Sequence, residues 1–263
     1  MNRISLAFQN LQKNNLKAII PYITPEFPMK GVTVPLILGL VETGASIVEL
    51  GIPFSDPLAD GPTIQQSSDV AIKNGVNINK VFEIVSEARM KSQISIVLMG
   101  YFNPILHYGV SKFLKDAHTA GVDGLIIPDL PPEESNEFCT EAKQNSLSTI
   151  FLIAPTSSDA RIRHIDSISS DFLYCVSVTG VTGERNTFGN QFDEFLKRVR
   201  KNTTKPFVVG FGIKKKEQVD SITKYSDGVV IGSALIHSIA EKKTVDDVVS
   251  TAKQFLQSLQ YNG

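Results

Sequence analysis

Apolar residues run along the chain in eight short, unbroken stretches that are separated by more polar segments. Gly, Pro or Asp bounds most of these stretches, which is typical of strands. Continuous apolar runs, rather than alternating ones, indicate parallel strands that are covered on both faces. The predicted strands are Ala18–Thr24, Ser46–Gly51, Ile94–Met99, Gly124–Pro128, Thr149–Ala154, Phe172–Ser177, Phe207–Gly212 and Gly228–Ile231.

Between these runs the apolar residues recur at helical spacing, which predicts amphipathic helices with one face toward a core. The clearest stripes are Val81/Ile84/Val85/Ala88, Phe113/Leu114/Ala117/Ala120, Phe192/Phe195/Leu196/Val199 and Val245/Val248/Val249/Ala252/Phe255. Gly121 is a predicted helix C-cap. At the N-terminus, Ile4, Leu6, Phe8 and Leu11 predict a further helix. The long segment after the second strand has room for two helices, near residues 63–74 and 79–91.

Eight strands alternating with helices in 263 residues predict an α/β fold, namely a (β/α)8 TIM barrel. We expect a single domain over residues 1–263, with extra helices at the N-terminus, after strand two and after strand eight. The alternative is an open, doubly wound sheet. That arrangement gives no reason for eight evenly spaced units, and no Gly-x-Gly-x-x-Gly follows the first strand.

Composition narrows the possible functions. A net charge of −1 gives no indication of nucleic-acid binding. No apolar stretch approaches the ~20 residues of a membrane-spanning helix, and the N-terminus has no signal-peptide pattern. Cys139 and Cys175 are interpreted as packed thiols of a reducing compartment, which predicts a cytoplasmic protein. No metal site is predicted, because the four histidines show no ligand spacing: His107, His118, His164 and His237.

One acidic residue, Glu49, interrupts the second apolar run. Burying an ionised carboxylate without a partner costs free energy, unless the pKa of the group rises so that it becomes neutral. A carboxylic acid that is neutral near pH 7 is what a general acid requires. The loop after it contains Pro53, Pro57 and Pro62, which restrict its backbone and give Asp60 a defined position. The alternative is that Glu49 faces solvent or pairs with a Lys.

In a barrel, catalytic groups lie at the carboxyl ends of the strands. Polar and aromatic residues fall at or near these ends: Tyr101, Asn103, Asp129, Tyr174 and Thr182. Three glycine-bearing turns follow the last three strands, at residues 180–183, 210–213 and 231–234. Backbone N–H groups of such turns, and of a short helix predicted at Ala234–Ala240, favour phosphate binding. Alternatively, the glycines only allow tight turns.

These motifs resemble the α subunit of tryptophan synthase over essentially the whole chain. The resemblance rests on residues 48–62, 100–104, 124–131, 154–156, 180–183, 210–213 and 232–234. The first segment, VELGIPFSDPLADGP, is long and specific, whereas the last two occur in many phosphate-binding barrels.

The resemblance implies retro-aldol cleavage of indole-3-glycerol phosphate to indole and glyceraldehyde 3-phosphate. Glu49 matches the family's general acid, and Asp60 matches the carboxylate that polarises the indole N–H. The substrate-binding residues implied are Tyr22, Leu98, Tyr101, Leu125, Ile153, Tyr174 and Thr182. The phosphate-binding residues implied are Gly183, Phe211, Gly212, Gly232 and Ser233. Tyr22, Leu98, Leu125 and Ile153 could equally be core residues.

The resemblance also implies a partner and a moving lid. Pro53, Asp56 and Pro57 match the contact with a β subunit in an α2β2 heterotetramer. Residues 180–188 match a lid, in which Thr182 contacts Asp60 on closure. The pyridoxal phosphate belongs to the β subunit, so no cofactor is expected in this chain.

The chain departs from the family pattern at two places, residues 24–28 and Val178. Three alternatives to an α subunit stay open at this point. They are a stand-alone indole-glycerol-phosphate lyase, another phosphosugar-binding barrel isomerase, and a subunit that has lost catalysis and acts only allosterically.

Overall fold

The computed structural model describes residues 2–176, 190–210 and 212–259, which form a barrel of parallel strands surrounded by helices. The strands are β1 Ala18–Ile23, β2 Ile47–Gly51, β3 Ser95–Met99, β4 Gly124–Ile126, β5 Ser148–Ile150, β6 Leu152–Ile153, β7 Leu173–Val176, β8 Phe207–Gly210 and β9 Gly228–Ile231. Their order across the sheet is β5-β4-β3-β2-β1-β9-β8-β7-β6.

The two outer strands of this order, β5 and β6, are halves of one strand that is interrupted at Phe151. The Phe151 carbonyl accepts a hydrogen bond from the Tyr174 N–H (3.1 Å), which joins the interruption to β7. The sheet therefore returns on itself as eight strands, and the predicted TIM barrel is confirmed. All five residues of β2, including Glu49, are buried, as expected for strands covered on both faces.

Helices connect the strands on the outside of the barrel. They are α1 Arg3–Lys13, α2 Thr33–Glu42, α3 Pro62–Lys73, α4 Ile78–Lys91, α5 Phe102–Tyr108, α6 Val110–Ala120, α7 Asn136–Gln144, α8 Asp159–Ile168, α9 Asn190–Asn202, α10 Lys216–Thr223, α11 Ser233–Ile239 and α12 Val245–Ser258. A short 3-10 turn covers Pro132–Glu134. The extra helices predicted at the N-terminus and after strands two and eight are present, whereas α5 was not predicted.

Two local predictions concern the end of α6 and the N-terminal helix α1. Gly121 ends α6 with φ +94°, a left-handed conformation that glycine adopts without steric cost, so the predicted C-cap is confirmed. In α1, Ile4 and Phe8 are buried, but Leu6 is 44% exposed. The predicted helix is present, and Leu6 lies on another side of it because it is two positions from Ile4.

At the amino-terminal end of the barrel, the buried Asp123 carboxylate joins three elements. It accepts hydrogen bonds from Arg3 of α1 (2.9 Å), Arg89 of α4 (3.0 Å) and the Ile96 N–H of β3 (2.8 Å). Every one of these donors is a charged or backbone group that needs an acceptor when buried. This network fixes the N-terminal helix across the bottom of the barrel.

Among the residues described, no helix combines the length and hydropathy that crossing a lipid bilayer requires. The two cysteines are both free. Cys175 is fully buried in β7 and Cys139 is partly buried in α7. Burial raises the pKa of the Cys175 thiol, which keeps it protonated.

Candidate active site

The register of the sheet sends the Glu49 side chain to the inside of the barrel. Glu49 pairs with Tyr22 of β1 and with Val97 of β3, and residues paired in parallel strands share a face. Its neighbours Val48 and Leu50 therefore point outward to the helices. Glu49 is 2% exposed, so the alternative that it faces solvent is wrong.

The environment of Glu49 disfavours a charged carboxylate. Burial, and secondly the negative charge of Asp60, raise the pKa of Glu49 from 4.5 to about 8. Its Oε1 atom is buried and has no hydrogen-bond partner among the described residues. With this pKa the side chain is a neutral acid at pH 7, and its Oε1 atom makes no hydrogen bond to a described residue that would have to break before proton transfer.

Asp60 lies at the other side of the same space, at the end of the Pro-rich loop. Gly61 is the N-cap of α3 and Pro62 is its first residue, so the helix begins directly after Asp60. Burial raises the pKa of Asp60, and a hydrogen bond from the Tyr101 hydroxyl opposes this rise. The Asp60 carbonyl also accepts a bond from Gln65 Nε2 (2.8 Å), which fixes the backbone at this point.

A cavity of about 300 Å³ connects the two carboxylates. Its described lining residues come from the carboxyl ends of five strands and from the loops that follow them: Tyr22, Glu49, Ala59, Asp60, Gly61, Pro62, Thr63, Ile64, Met99, Tyr174, Gly212, Val230, Gly232 and Ser233. This cavity lies where barrels place their chemistry. It contains an apolar wall, two carboxylates and a glycine-rich side.

Two tyrosines face this cavity because glycines make room for them. A Cβ atom at Gly51 would collide with the Tyr22 hydroxyl, and one at Gly210 would collide with the Tyr174 hydroxyl. Burial raises the pKa of both phenols, with a smaller contribution from the charge of Glu49. Both hydroxyls therefore stay neutral beside Glu49.

Three of the residues expected to contact the indole ring lie outside the described lining of this cavity. Leu98, Leu125 and Ile153 are completely or almost completely buried, and none lines the cavity. Leu98 pairs with Leu50 and with Leu125, and Ile153 pairs with Cys175, so all three lie on the face opposite to Glu49 and Tyr174. A continuous apolar run does not indicate which residues point inward, so only the register of the sheet shows these orientations. Met99, one residue after Leu98, faces the cavity instead.

Other lining residues were also missed by the sequence reasoning. Thr63, Ile64 and Val230 carry no signal of their own, because they look like ordinary helix and strand residues. Asp129, predicted at the rim, is outside this lining and has a structural contact: its carboxylate accepts two hydrogen bonds from the Phe102 N–H (2.9 and 3.1 Å) at the start of α5. Within the described part of the chain, no group of three or more His, Cys, Asp or Glu residues could hold a metal ion.

Comparison with known proteins identifies the family. A sequence model described as tryptophan synthase alpha chain matches residues 8–262. The tryptophan synthase alpha chain of Chlorobium chlorochromatii is 48% identical over 98% of both chains. The crystal structure of tryptophan synthase subunit alpha from Legionella pneumophila covers 98% of this chain and 97% of its own, with 35% identity and a TM-score of 0.91. The chain belongs to the tryptophan synthase alpha chain family. A further structure, from the tryptophan synthase a2b2 complex of Pyrococcus furiosus, is 39% identical, with a TM-score of 0.84 and coverage of 92% and 97%.

The residues that the tryptophan synthase resemblance assigns to phosphate are brought together in part. Gly212, Gly232 and Ser233 line the same cavity as Glu49. Gly212 has φ +76°, which only glycine adopts readily, and Ser233 is the first residue of α11. Thr182, Gly183, Phe211 and the implied lid at 180–188 lie outside the described residues.

The loop that tryptophan synthase α subunits are expected to present to their partner lies on the surface beside the cavity. Asp56 is exposed, Pro53 and Pro57 are partly exposed, and Leu58 is 85% exposed. The same loop ends at Asp60. A surface that could meet a partner is therefore only three residues from a carboxylate of the cavity.

Proposed function

We propose that this chain cleaves indole-3-glycerol phosphate to indole and glyceraldehyde 3-phosphate, as the α subunit of a tryptophan synthase. The observation that carries the proposal is the buried, neutral acid Glu49, whose Oε1 atom has no partner among the described residues, on the wall of a cavity that also holds Asp60 and a glycine-rich side. These are the groups that a proton-driven retro-aldol cleavage of a phosphorylated indole needs.

Glu49 would move the two protons of this reaction. In the first step its carboxylic acid protonates C3 of the indole, which converts the ring to an indolenine cation with a C2=N1 double bond. In the second step the Glu49 carboxylate removes the proton from the hydroxyl on the adjacent glycerol carbon. The carbon–carbon bond then breaks, its electron pair returns to the ring, and the hydroxyl oxygen becomes the aldehyde oxygen. Glu49 ends the cycle protonated, so no net proton is consumed.

Asp60 would act on the other side of the ring. An ionised carboxylate facing the indole N–H stabilises the positive charge that develops there after C3 is protonated. The two carboxylates thus need different protonation states at one pH, and their surroundings favour this division. Glu49 is more deeply buried, whereas Asp60 receives a hydrogen bond from Tyr101.

The remaining assignments follow from the cavity and from the family. Backbone N–H groups at Gly212, Gly232 and Ser233, together with Gly183 and Phe211, would bind the phosphate. Tyr22, Met99 and Tyr174 would contact the indole ring, with Thr182 on the lid. Pro53, Asp56 and Pro57 would contact a β subunit that carries pyridoxal phosphate and receives the indole. We place this reaction in the cytoplasm.

The test is release of indole from indole-3-glycerol phosphate by the purified chain, with and without a β subunit. We expect slow release by the chain alone and faster release in the complex. Glu49→Gln should lower the rate of release at least about 100-fold in both. The exposed residue Glu241, changed to Gln, provides a matched control that should keep the wild-type rate. No indole from the wild-type chain in either form would refute the proposal.

The stand-alone lyase remains the second candidate and needs a separate measurement. Gel filtration of the chain with a β subunit distinguishes the two. A stable complex supports the α-subunit assignment, while indole release without complex formation supports the stand-alone enzyme.

A further inference from the structure

Tyr101 follows β3, in a part of the backbone that is fixed on several sides. The Gly100 N–H donates to the Ile126 carbonyl (3.1 Å) and the Phe102 N–H to the Asp129 carboxylate. A Cβ atom at Gly100 would lie 2.9 Å from Cβ of Ile52, so the chain here packs directly against the end of β2. Although it lies between two elements, Tyr101 is only 5% exposed. Its position is therefore set by the barrel sheet.

The side chain of Tyr101 reaches from this rigid base to the Pro-rich loop. Its ring packs against Phe54 with 5.7 Å between ring centroids. Its hydroxyl oxygen accepts a hydrogen bond from the Ala59 N–H (3.0 Å). The same hydroxyl acts on the neighbouring Asp60 carboxylate, whose pKa it lowers. The hydroxyl that accepts from Ala59 still has its own proton to donate, and an ionised carboxylate can only accept, so Asp60 is a suitable acceptor for that proton.

The Pro-rich loop, residues 53–60, has few other side-chain hydrogen bonds among the described residues. Ser55, Asp56, Leu58 and Ala59 are exposed. Among the described residues, the remaining side-chain hydrogen bonds of residues 53–60 are Ser55 to Asp56 inside the loop and Gln65 to the Asp60 carbonyl. Tyr101 is thus the side chain that ties the backbone of the loop to the barrel, directly before Asp60.

We propose that Tyr101 is a positioning residue rather than a wall of the indole pocket: its hydroxyl, fixed by the Ala59 N–H, donates its proton to the Asp60 carboxylate and holds that carboxylate in place. A hydrogen bond to a charged carboxylate both orients it and favours its charged form. Orientation matters because Asp60 must face the indole N–H when positive charge develops there. This inference rests on the proposed function for its kinetic test.

Tyr101→Phe is the sharpest variant, because it keeps the ring that packs on Phe54 and removes only the hydroxyl. We expect kcat to fall about 10- to 100-fold, the factor of one hydrogen bond to a charged group, with little change in KM. The acidic limb of the rate profile, which reports ionisation of Asp60, should move to higher pH. In an Asp60→Asn background the same change should have less than about a twofold effect, because the bond's partner has lost its charge.

Tyr108→Phe is the matched control. Tyr108 also donates its hydroxyl to a carboxylate, that of Asp116 (2.7 Å), and packs on phenylalanines, but it lies on α5 outside the cavity. Its loss should leave kcat and the pH profile unchanged. If Tyr101→Phe raises KM with kcat intact, Tyr101 is a substrate contact and the inference is wrong. An unchanged kcat, or an equal loss in the Asp60→Asn background, also overturns it.

Hydrogen exchange tests the same contact without activity. The Ala59 amide, which donates to Tyr101, should exchange at least about tenfold faster in Tyr101→Phe and unchanged in Tyr108→Phe. Unaltered exchange at Ala59 contradicts the inference even if the enzyme is active. Accelerated exchange with no indole release by the wild-type chain would instead leave the loop contact intact and refute the lyase function.

Discussion

Two buried carboxylates at opposite ends of the barrel differ in what surrounds them. Asp123, at the amino-terminal end, is 4% exposed and binds two arginines and a backbone N–H. Glu49, at the carboxyl end, is 2% exposed, and its Oε1 atom has no partner among the described residues. Both are acids buried in the same barrel, but the Oε1 atom of Glu49 lacks the donors that surround the Asp123 carboxylate.

The difference separates a stabilising carboxylate from one that is available for chemistry. A buried charge with several donors contributes to holding its neighbours together, and removing it leaves those donors unpaired. A buried acid without donors destabilises the fold when ionised and therefore stays protonated. We infer that the barrel uses its bottom for stability and its top for reactivity, in line with the general division of this fold.

The largest effect that we expect from the contrast between Glu49 and Asp123 is the loss of activity when Glu49 is replaced. Glu49→Gln removes the transferable proton while keeping the size of the side chain. Because general acid–base catalysis contributes about 10²- to 10⁴-fold, kcat for indole release should fall by that factor. Steady-state assays with the Glu241→Gln control measure it. A Glu49→Gln enzyme within tenfold of wild type would show that another group transfers the proton.

Asp123→Asn should have the opposite profile. It leaves Arg89 and Arg3 without the charge that they face, and breaking a buried ion pair costs about 3 kcal/mol at the lower end of the usual range. Urea denaturation should show this loss, while kcat per folded molecule stays near the wild-type value. If kcat fell and stability did not, Asp123 would belong to the active site rather than to the scaffold.

Glu49→Gln should also change stability, with a pH dependence of definite sign. The pKa of Glu49 is higher in the folded chain (about 8) than its ordinary value of 4.5. The folded state therefore holds the extra proton, and the wild type loses stability as pH rises from 4.5 to 8. Gln has no such loss, although its amide stays unpaired in the cavity. We expect the variant to be more stable than wild type by about 2 kcal/mol at pH 8, well below the full difference in proton affinity.

The pH series is the control for this prediction. The advantage of Glu49→Gln should shrink toward pH 5, where the carboxyl is protonated in the folded state and increasingly in the unfolded state as well. An advantage that is constant from pH 5 to pH 8 would mean that Glu49 does not titrate with a raised pKa.

The smallest effect concerns the coupling between the two acids of the cavity. The charge of Asp60 is the second cause that raises the pKa of Glu49, after burial. Asp60→Asn removes that charge and should lower the pKa of Glu49, while leaving it above 4.5 because burial remains. Carbon-13 NMR of the Glu49 carboxyl, compared between wild type and variant, measures this shift. No change would show that the two carboxylates do not interact.

The sequence predicts the architecture well, because eight apolar runs and the stripes between them reflect burial directly. It also draws attention to Glu49 and Asp60, the two carboxylates that line the cavity. One charge in an apolar strand and a Pro-rich loop are strong local signals. The inward and outward faces of strands cannot be read in the same way. Leu98 and Met99 are equally apolar, and only the register places Met99 in the cavity.

Contacts between distant segments were also beyond the sequence. The bond between Tyr101 and Ala59 joins residues 42 positions apart, and nothing in either segment indicates it. The interruption of the fifth strand at Phe151 is likewise invisible, because Phe151 continues the apolar run. Such features depend on three-dimensional packing, which overrides local propensity.

The central claim is that Glu49 is a neutral acid at pH 7, because burial and the nearby charge of Asp60 raise its pKa. Infrared difference spectra between wild type and Glu49→Gln, recorded from pH 5 to pH 10, test it most directly. We predict a protonated-carboxyl band that belongs to Glu49, is present at pH 7 and disappears around pH 8. Absence of that band at pH 7, with only an ionised carboxylate, would contradict the account.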